Sequence, residues 1–217
     1  MTSFDRRSLL TVLAGGAAAS MMPGALAVAV PVFPGVSALS MDLYQGSKVI
    51  GQHAYEITGS QSAPRVRTTA NFEGRILGFR FRYALSTEEV WQGGRLLSLR
   101  SEGSLRDQPF GMSADREGGA LAVVDEKGRR YQADGGLLPT TYWMPNFVQQ
   151  SAVLDTQRGG VLTTQPQALG RGTFYGRSVQ GWDIGGDLPI TIYYDDSGTW
   201  SGLKFSIAGA RFQYRRV

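Results

Sequence analysis

The chain has 217 residues, no cysteine and one histidine, with 22 Lys and Arg against 18 Asp and Glu. The missing cysteines exclude a disulfide framework and a lipidated-cysteine anchor, and a single histidine leaves tetrahedral zinc without its usual ligands. The small basic excess is scattered, densest at Arg211, Arg215 and Arg216, and lacks the basic stripe with interleaved aromatics of a nucleic-acid binder.

The first 27 residues read as an address. Asp5-Arg6-Arg7-Ser8-Leu9-Leu10 is a twin-arginine signature, followed by an Ala- and Gly-rich apolar run over Leu9–Ala19. Ala25-Leu26-Ala27 supplies the small-x-small site of signal peptidase, which places cleavage after Ala27 and the mature start at Val28; Ala27-Val28-Ala29 offers Val30 instead. A membrane anchor would need about 20 consecutive apolar residues, and the glycines, Ser20 and Pro23 interrupt that run. The expected location is therefore the periplasm or the medium, with no membrane span. Twin-arginine export carries folded cargo, which suits a cofactor-loaded protein or a fast folder; no cofactor motif stands in the mature part, so none is expected.

A tail over 28–38, with Pro31 and Pro34, leads into a single β domain over 39–217, large enough for a sizeable core. The alternation of a half-buried strand recurs along it. Arg75–Tyr83 is the clearest case, with Phe79, Phe81 and Tyr83 on one face and Arg80 and Arg82 on the other. Turn signals at Gly93-Gly94, Gly118-Gly119, Glu126-Lys127-Gly128 and Asp195-Asp196-Ser197-Gly198 punctuate the series. Pro166 interrupts a strand over Val161–Leu169 and marks an edge or bulge. Short sequential hairpins mean antiparallel neighbours, and the 29 glycines permit tight curvature. The expected fold is all-β: one strongly curved antiparallel meander sheet, a half-barrel or barrel, with a two-sheet sandwich as the alternative.

One stretch breaks the alternation. Leu137–Gln157 reads LLPTTYWMPNFVQQSAVLDTQ, with two prolines and large apolar groups at nearly helical spacing. It predicts a short helical plug at about 140–150, packed on or in the concave face. Asp155-Thr156-Gln157, where the plug rejoins the sheet, reads first as a set of caps for local backbone donors. Tyr142, Trp143 and Phe147 serve equally as core or as the lining of a ligand pocket. The expected ligand-binding set is therefore Tyr142, Trp143, Phe147, Asp155 and Gln157.

Catalytic constellations are thin. His53 reads as a hydrogen-bonded strand residue rather than a general base, and no G-x-S-x-G elbow accompanies it. Glu88 and Glu89 are strand neighbours and point to opposite faces, so they cannot flank one bond. Asp195 and Asp196 lie in a turn, where aspartates bond local backbone. No calcium loop or phosphate-binding glycine loop is present.

The LPTTYWMP (Leu138–Pro145), LDTQ (Leu154–Gln157), YYDDSGTWSGLKF (Tyr193–Phe205) and EVWQGGRLLSL (Glu89–Leu99) stretches together resemble an uncharacterised family of exported bacterial proteins. That family is itself similar to periplasmic proteins with lipoprotein-carrier or lipocalin-like half-barrels, a likeness of fold alone. The resemblance implies no established activity and no catalytic residues. The first expectation is a non-enzymatic carrier or binding module for an apolar or amphipathic small molecule. A hydrolase using Asp155 and His53, and an assembly partner pairing through a sheet edge, are the alternatives. No feature specifies an oligomer.

Overall fold

The structure is a computed structural model that describes residues 36–217. The twin-arginine segment, with Arg6, Arg7 and Ala27, and the tail up to Gly35 lie outside the described residues. The domain begins with a meander of eight strands: β1 (Ala38–Gln45), β2 (Lys48–Ser60), β3 (Ala63–Ile76), β4 (Phe79–Gln92), β5 (Arg95–Leu105), β6 (Gln108–Glu117), β7 (Ala120–Val124) and β8 (Arg130–Asp134). A second meander follows the plug: β12 (Gln167–Phe174), β13 (Arg177–Asp183), β14 (Thr191–Tyr194), β15 (Trp200–Ile207) and β16 (Ala210–Arg216).

The two meanders form one 13-stranded antiparallel sheet. β16 pairs with β1, Leu43 opposite Tyr214, so the last and first strands meet inside the sheet while β12 and β8 form its edges. The sheet curls without closing, which sets aside the sandwich and makes the architecture an open, barrel-like half-shell. Alternation dictates the two faces. On β4, Phe81, Tyr83, Leu85, Thr87, Glu89 and Trp91 are buried on the concave side, while Arg82 and Glu88 face water. Exposed ion pairs such as Arg67–Glu88 at 2.6 Å dress the convex face and add little stability in solvent.

Two expected boundaries move. Arg75–Tyr83 is not one strand: a tight turn at Leu77-Gly78, both with positive φ (49° and 85°), divides β3 from β4. The inward phase shifts across this turn, from Ile76 to its partner Phe79, but Leu77 in the turn is apolar and falls on the phase of Phe79, Phe81 and Tyr83, so the sequence reads as one alternation. Phe79 therefore lies at a hairpin tip, exposed, while Phe81 and Tyr83 are core. Pro166 separates two strands, β11 (Val161–Thr163) and the edge strand β12.

The chain leaves one edge of the sheet after β8 and enters the other at β12. Residues 135–166 make that crossing along the concave face. They include the small sheet β9 (Leu138–Pro139), β10 (Ala152–Leu154) and β11, and a 3-10 turn over Pro145–Gln149. β9 and β10 pair in parallel, unlike the strands of the large sheet. The expected helix is only this 3-10 turn. Pro145 sits in its first turn, as proline prefers, and the Met144 cap carries no side-chain hydrogen bond to extend it.

The sheet's coil also brings its edge hairpin onto the convex side. Phe174 stacks on Tyr193 with centroids 4.3 Å apart, and Lys204 lies over both rings. Gly202 makes room for this, because a Cβ there would meet Phe174 Cε1 at 2.1 Å. Gly202→Ala should therefore expel Phe174 and lower stability by about 1–3 kcal/mol, the scale of overpacking. Urea unfolding reads the change, and an unaltered midpoint would contradict the packing described.

Candidate functional site

The plug is an irregular segment buried against a sheet, so its peptide groups need partners other than water. Inward-facing polar side chains supply them. The Tyr55 hydroxyl donates to the Thr141 carbonyl. The Tyr194 hydroxyl donates to the carbonyls of Tyr142 at 2.8 Å and Met144 at 3.1 Å. Ser101 Oγ donates to the Thr156 carbonyl at 2.5 Å. Tyr142 sits between these anchors with φ of 66°, a left-handed conformation that a bulky residue keeps only under outside constraint.

Glu89 is the acceptor of the set. Its carboxylate receives the indole N–H of Trp91 at 2.8 Å and that of Trp143 at 3.2 Å. The two indoles meet edge to face, 5.9 Å apart. Burial raises the Glu89 pKa to about 7, against the opposing hydrogen bonds from Trp91, Thr141 and Trp143. The folded protein thus binds this proton more tightly than the unfolded chain, whose carboxyl titrates near 4.5. Glu89 contributes most stability below about 4.5, and that contribution falls as the pH rises through 7. Relative to Glu89→Gln, the wild type should lose about 3 kcal/mol between pH 4.5 and 8. Urea titrations at the two limits test this; a pH-independent difference would refute the buried-acid assignment.

The remaining concave space is a cavity of about 130 Å³ between the plug and the sheet. Leu43, Ala70, Phe81, Leu85, Leu203 and Phe212 form apolar wall, and Thr140, Tyr142, Thr156 and Gln157 face it from the plug. Phe72, Phe205 and Ile207 line it too and are only half-buried, which places its mouth toward the hairpin ends at Leu77-Gly78 and Ala208-Gly209. His53 is in the wall, 4 % exposed. Its ring stacks on Tyr55 at 4.7 Å and meets Trp200 and Tyr214 edge-on at 5.5 and 5.3 Å. Neither imidazole nitrogen has a hydrogen-bond partner among the described residues, which overturns the expectation of a hydrogen-bonded strand histidine. Burial lowers its pKa to about 3, so the ring is neutral at physiological pH.

The structure divides the five residues singled out from sequence. Tyr142 and Gln157 line the cavity. Trp143 and Phe147, each 1 % exposed, pack in the core, Trp143 on Trp91 and Phe147 against Tyr142 at 5.3 Å. Neither is among the residues that line the cavity. Asp155 is also off the cavity wall. Its Oδ1 accepts the Gln157 N–H at 2.8 Å, and its own N–H and carbonyl bond the Gly160 carbonyl and Gly159 N–H, both at 2.8 Å. Burial raises its pKa, against hydrogen bonds and the charge of Arg158. It lines a separate charged cleft with Asp125, Arg129 and Arg158. His53 and Asp155 thus face different spaces. Among the described residues no cluster of three or more His, Asp or Glu could hold a metal ion, and no helix is long and apolar enough to cross a membrane.

Sequence reasoning did not single out Glu89 as a site residue. Its signal was present: a glutamate on the core-facing phase of β4, in register with Tyr83, Leu85 and Trp91.

An open antiparallel half-shell with a strapped concave face belongs to the β-barrel-like class of proteins. The chain itself is a member of a family described as a domain of unknown function (DUF6134), which matches residues 41–217. Solved structures that it resembles include a beta-barrel-like protein of a domain of unknown function (DUF1849) from Brucella abortus. The two superpose with a TM-score of 0.56 at 14% identity, over 83% of this chain and 94% of that one; at this identity the likeness is one of fold. No curated protein matches the chain.

Proposed function

We propose that this protein is an exported, non-enzymatic binding module that holds the apolar part of a small amphipathic molecule between plug and sheet. The observation that carries this reading is the 130 Å³ cavity, walled by aromatic and aliphatic side chains and bordered by half-buried Phe72, Phe205 and Ile207. An apolar void of this order holds a single aromatic ring, as an engineered cavity of about 150 Å³ does for benzene. The space therefore suits one ring or the end of a chain, not a whole phospholipid. The carboxyls that a hydrolase would use, Glu89 and Asp155, do not line it, which favours binding over catalysis. The anchored plug acts as the fixed wall of a largely pre-formed site.

Filling the cavity is the direct test. Ala70 is buried in the wall, and Ala70→Phe places a ring in the space. Wild type should bind an environment-sensitive apolar dye saturably, and the variant should lose binding at least tenfold with the fold retained by circular dichroism. Equal binding by both proteins would place the dye elsewhere and remove the cavity reading. The export half of the proposal rests on Arg6, Arg7 and the Ala27 cleavage site. Replacing both arginines with lysine should strand an uncleaved precursor in the cytoplasm, while exported wild-type material should begin at Val28 or Val30 by mass spectrometry. Efficient export of the lysine variant would refute the twin-arginine route.

A further inference from the structure

We propose that His53 is the polar contact of the cavity and that its ligand is an uncharged, hydroxyl-bearing hydrophobe, a phenol or a compact alcohol, bound hydroxyl-first. This rests on the binding reading above and names the ligand's chemistry. A buried imidazole with no hydrogen bond loses more than it gains by folding, and a phenylalanine would pack the same aromatic nest at no such penalty. The ring is fixed by Tyr55, Trp200 and Tyr214, its two nitrogens are unpartnered, and the space it borders is the cavity. The ring itself lines the cavity, so a polar group bound there is placed to approach these nitrogens, which the described residues leave covered and unpaired.

The wall decides the charge of that group. Among the described residues no Asp, Glu, Lys or Arg lines the cavity. Its polar groups are an imidazole, the phenols of Tyr83, Tyr142 and Tyr214, two threonines and Gln157. Burial holds the three phenols in their neutral form. A carboxylate or phosphate would enter with no countercharge, which is costly in a dry site. A neutral imidazole offers one donor and one acceptor. A hydroxyl can serve either, whatever the tautomer, where a carbonyl serves one. Register sets the orientation: His53 lies two residues deeper along β2 than Gly51, the partner of Leu43, and next to plug-bound Tyr55. The half-buried Phe72, Phe205 and Ile207 lie toward the mouth. The polar end therefore points inward and the apolar body outward.

The test uses three matched probes on the full chain, expressed without a histidine tag: 4-ethylphenol, ethylbenzene and 4-ethylbenzoate. Calorimetric titration should show saturable binding of the phenol and the hydrocarbon and none of the carboxylate. His53→Phe should weaken the phenol about tenfold relative to ethylbenzene, the loss of one hydrogen bond. Because the chain holds one histidine, histidine labelled with nitrogen-15 reports on the wild type alone, should the variant not fold. Its imidazole signals should shift when 4-ethylphenol saturates and stay near their free positions with ethylbenzene. An unchanged phenol-to-hydrocarbon ratio in the variant, or an imidazole blind to bound phenol, overturns the role of His53 and leaves the cavity reading standing. Carboxylate binding as tight as the phenol's overturns the uncharged class. Failure of all three probes to bind overturns the cavity reading and this inference with it.

Discussion

The structure depends on satisfying the backbone of a non-regular segment inside a curved sheet. A sheet gives its own peptide groups to its neighbours, so it has none to offer what lies on its face. Whatever crosses that face must be held by side chains. Tyr55, Ser101 and Tyr194 reach inward as donors to carbonyls of the plug, and Glu89 reaches inward as the acceptor for Trp143. Each interrupts an otherwise apolar inner face. The left-handed backbone at Tyr142 follows from the same constraint, because it turns the Tyr142 carbonyl to the Tyr194 hydroxyl.

These anchors gather toward one end of the half-shell. Trp91 and Glu89 lie near the Gly93-Gly94 turn, and Trp143 packs there. The opposite end, where Leu43, Phe81, Leu105 and Ile207 approach their hairpin turns, carries no comparable tie among the described residues. The plug is therefore tight at one end and leaves space at the other. The two buried titrating groups divide the same way and act with opposite sign. Glu89, with its pKa raised, disfavours the folded state as the pH climbs through about 7. His53, with its pKa lowered to about 3, contributes stability above the unfolded value of 6.5 and loses it as the pH falls toward 3. Between those values the two partly offset.

Much of the fold was legible from pattern because a strand's faces alternate with a fixed period. The plug was legible because it broke that period, and Asp155 because a short acid beside a turn bonds local backbone. Alternation says which face a side chain takes but not how far along the sheet it lies. For that reason Trp143 and Tyr142, adjacent in sequence, could not be separated into core and cavity wall. The turn at Leu77-Gly78 was hidden because the apolar, exposed Leu77 falls on the phase of Phe79, Phe81 and Tyr83 and masks the shift of the inward face between the two strands. Glu89 was visible as a charged residue on the inner phase, but of its two partners Trp91 lies two residues away in the chain and Trp143 lies 54 residues away. Only the crossing of the plug brings them together.

That crossing also explains why the sheet stays open. In a closed barrel the edge strands β8 and β12 would bond each other. Here the chain between them is spent on the interior, and the pairing that joins the two meanders is β16 with β1. The interior is thus furnished by the connection itself rather than by inward side chains alone. A closed sheet of large inward side chains would pack solid. A half-shell with a strap fixed at one end keeps both a rigid wall and an unfilled space, and the ring of His53, neutral and with no hydrogen-bond partner among the described residues, lines the space that remains.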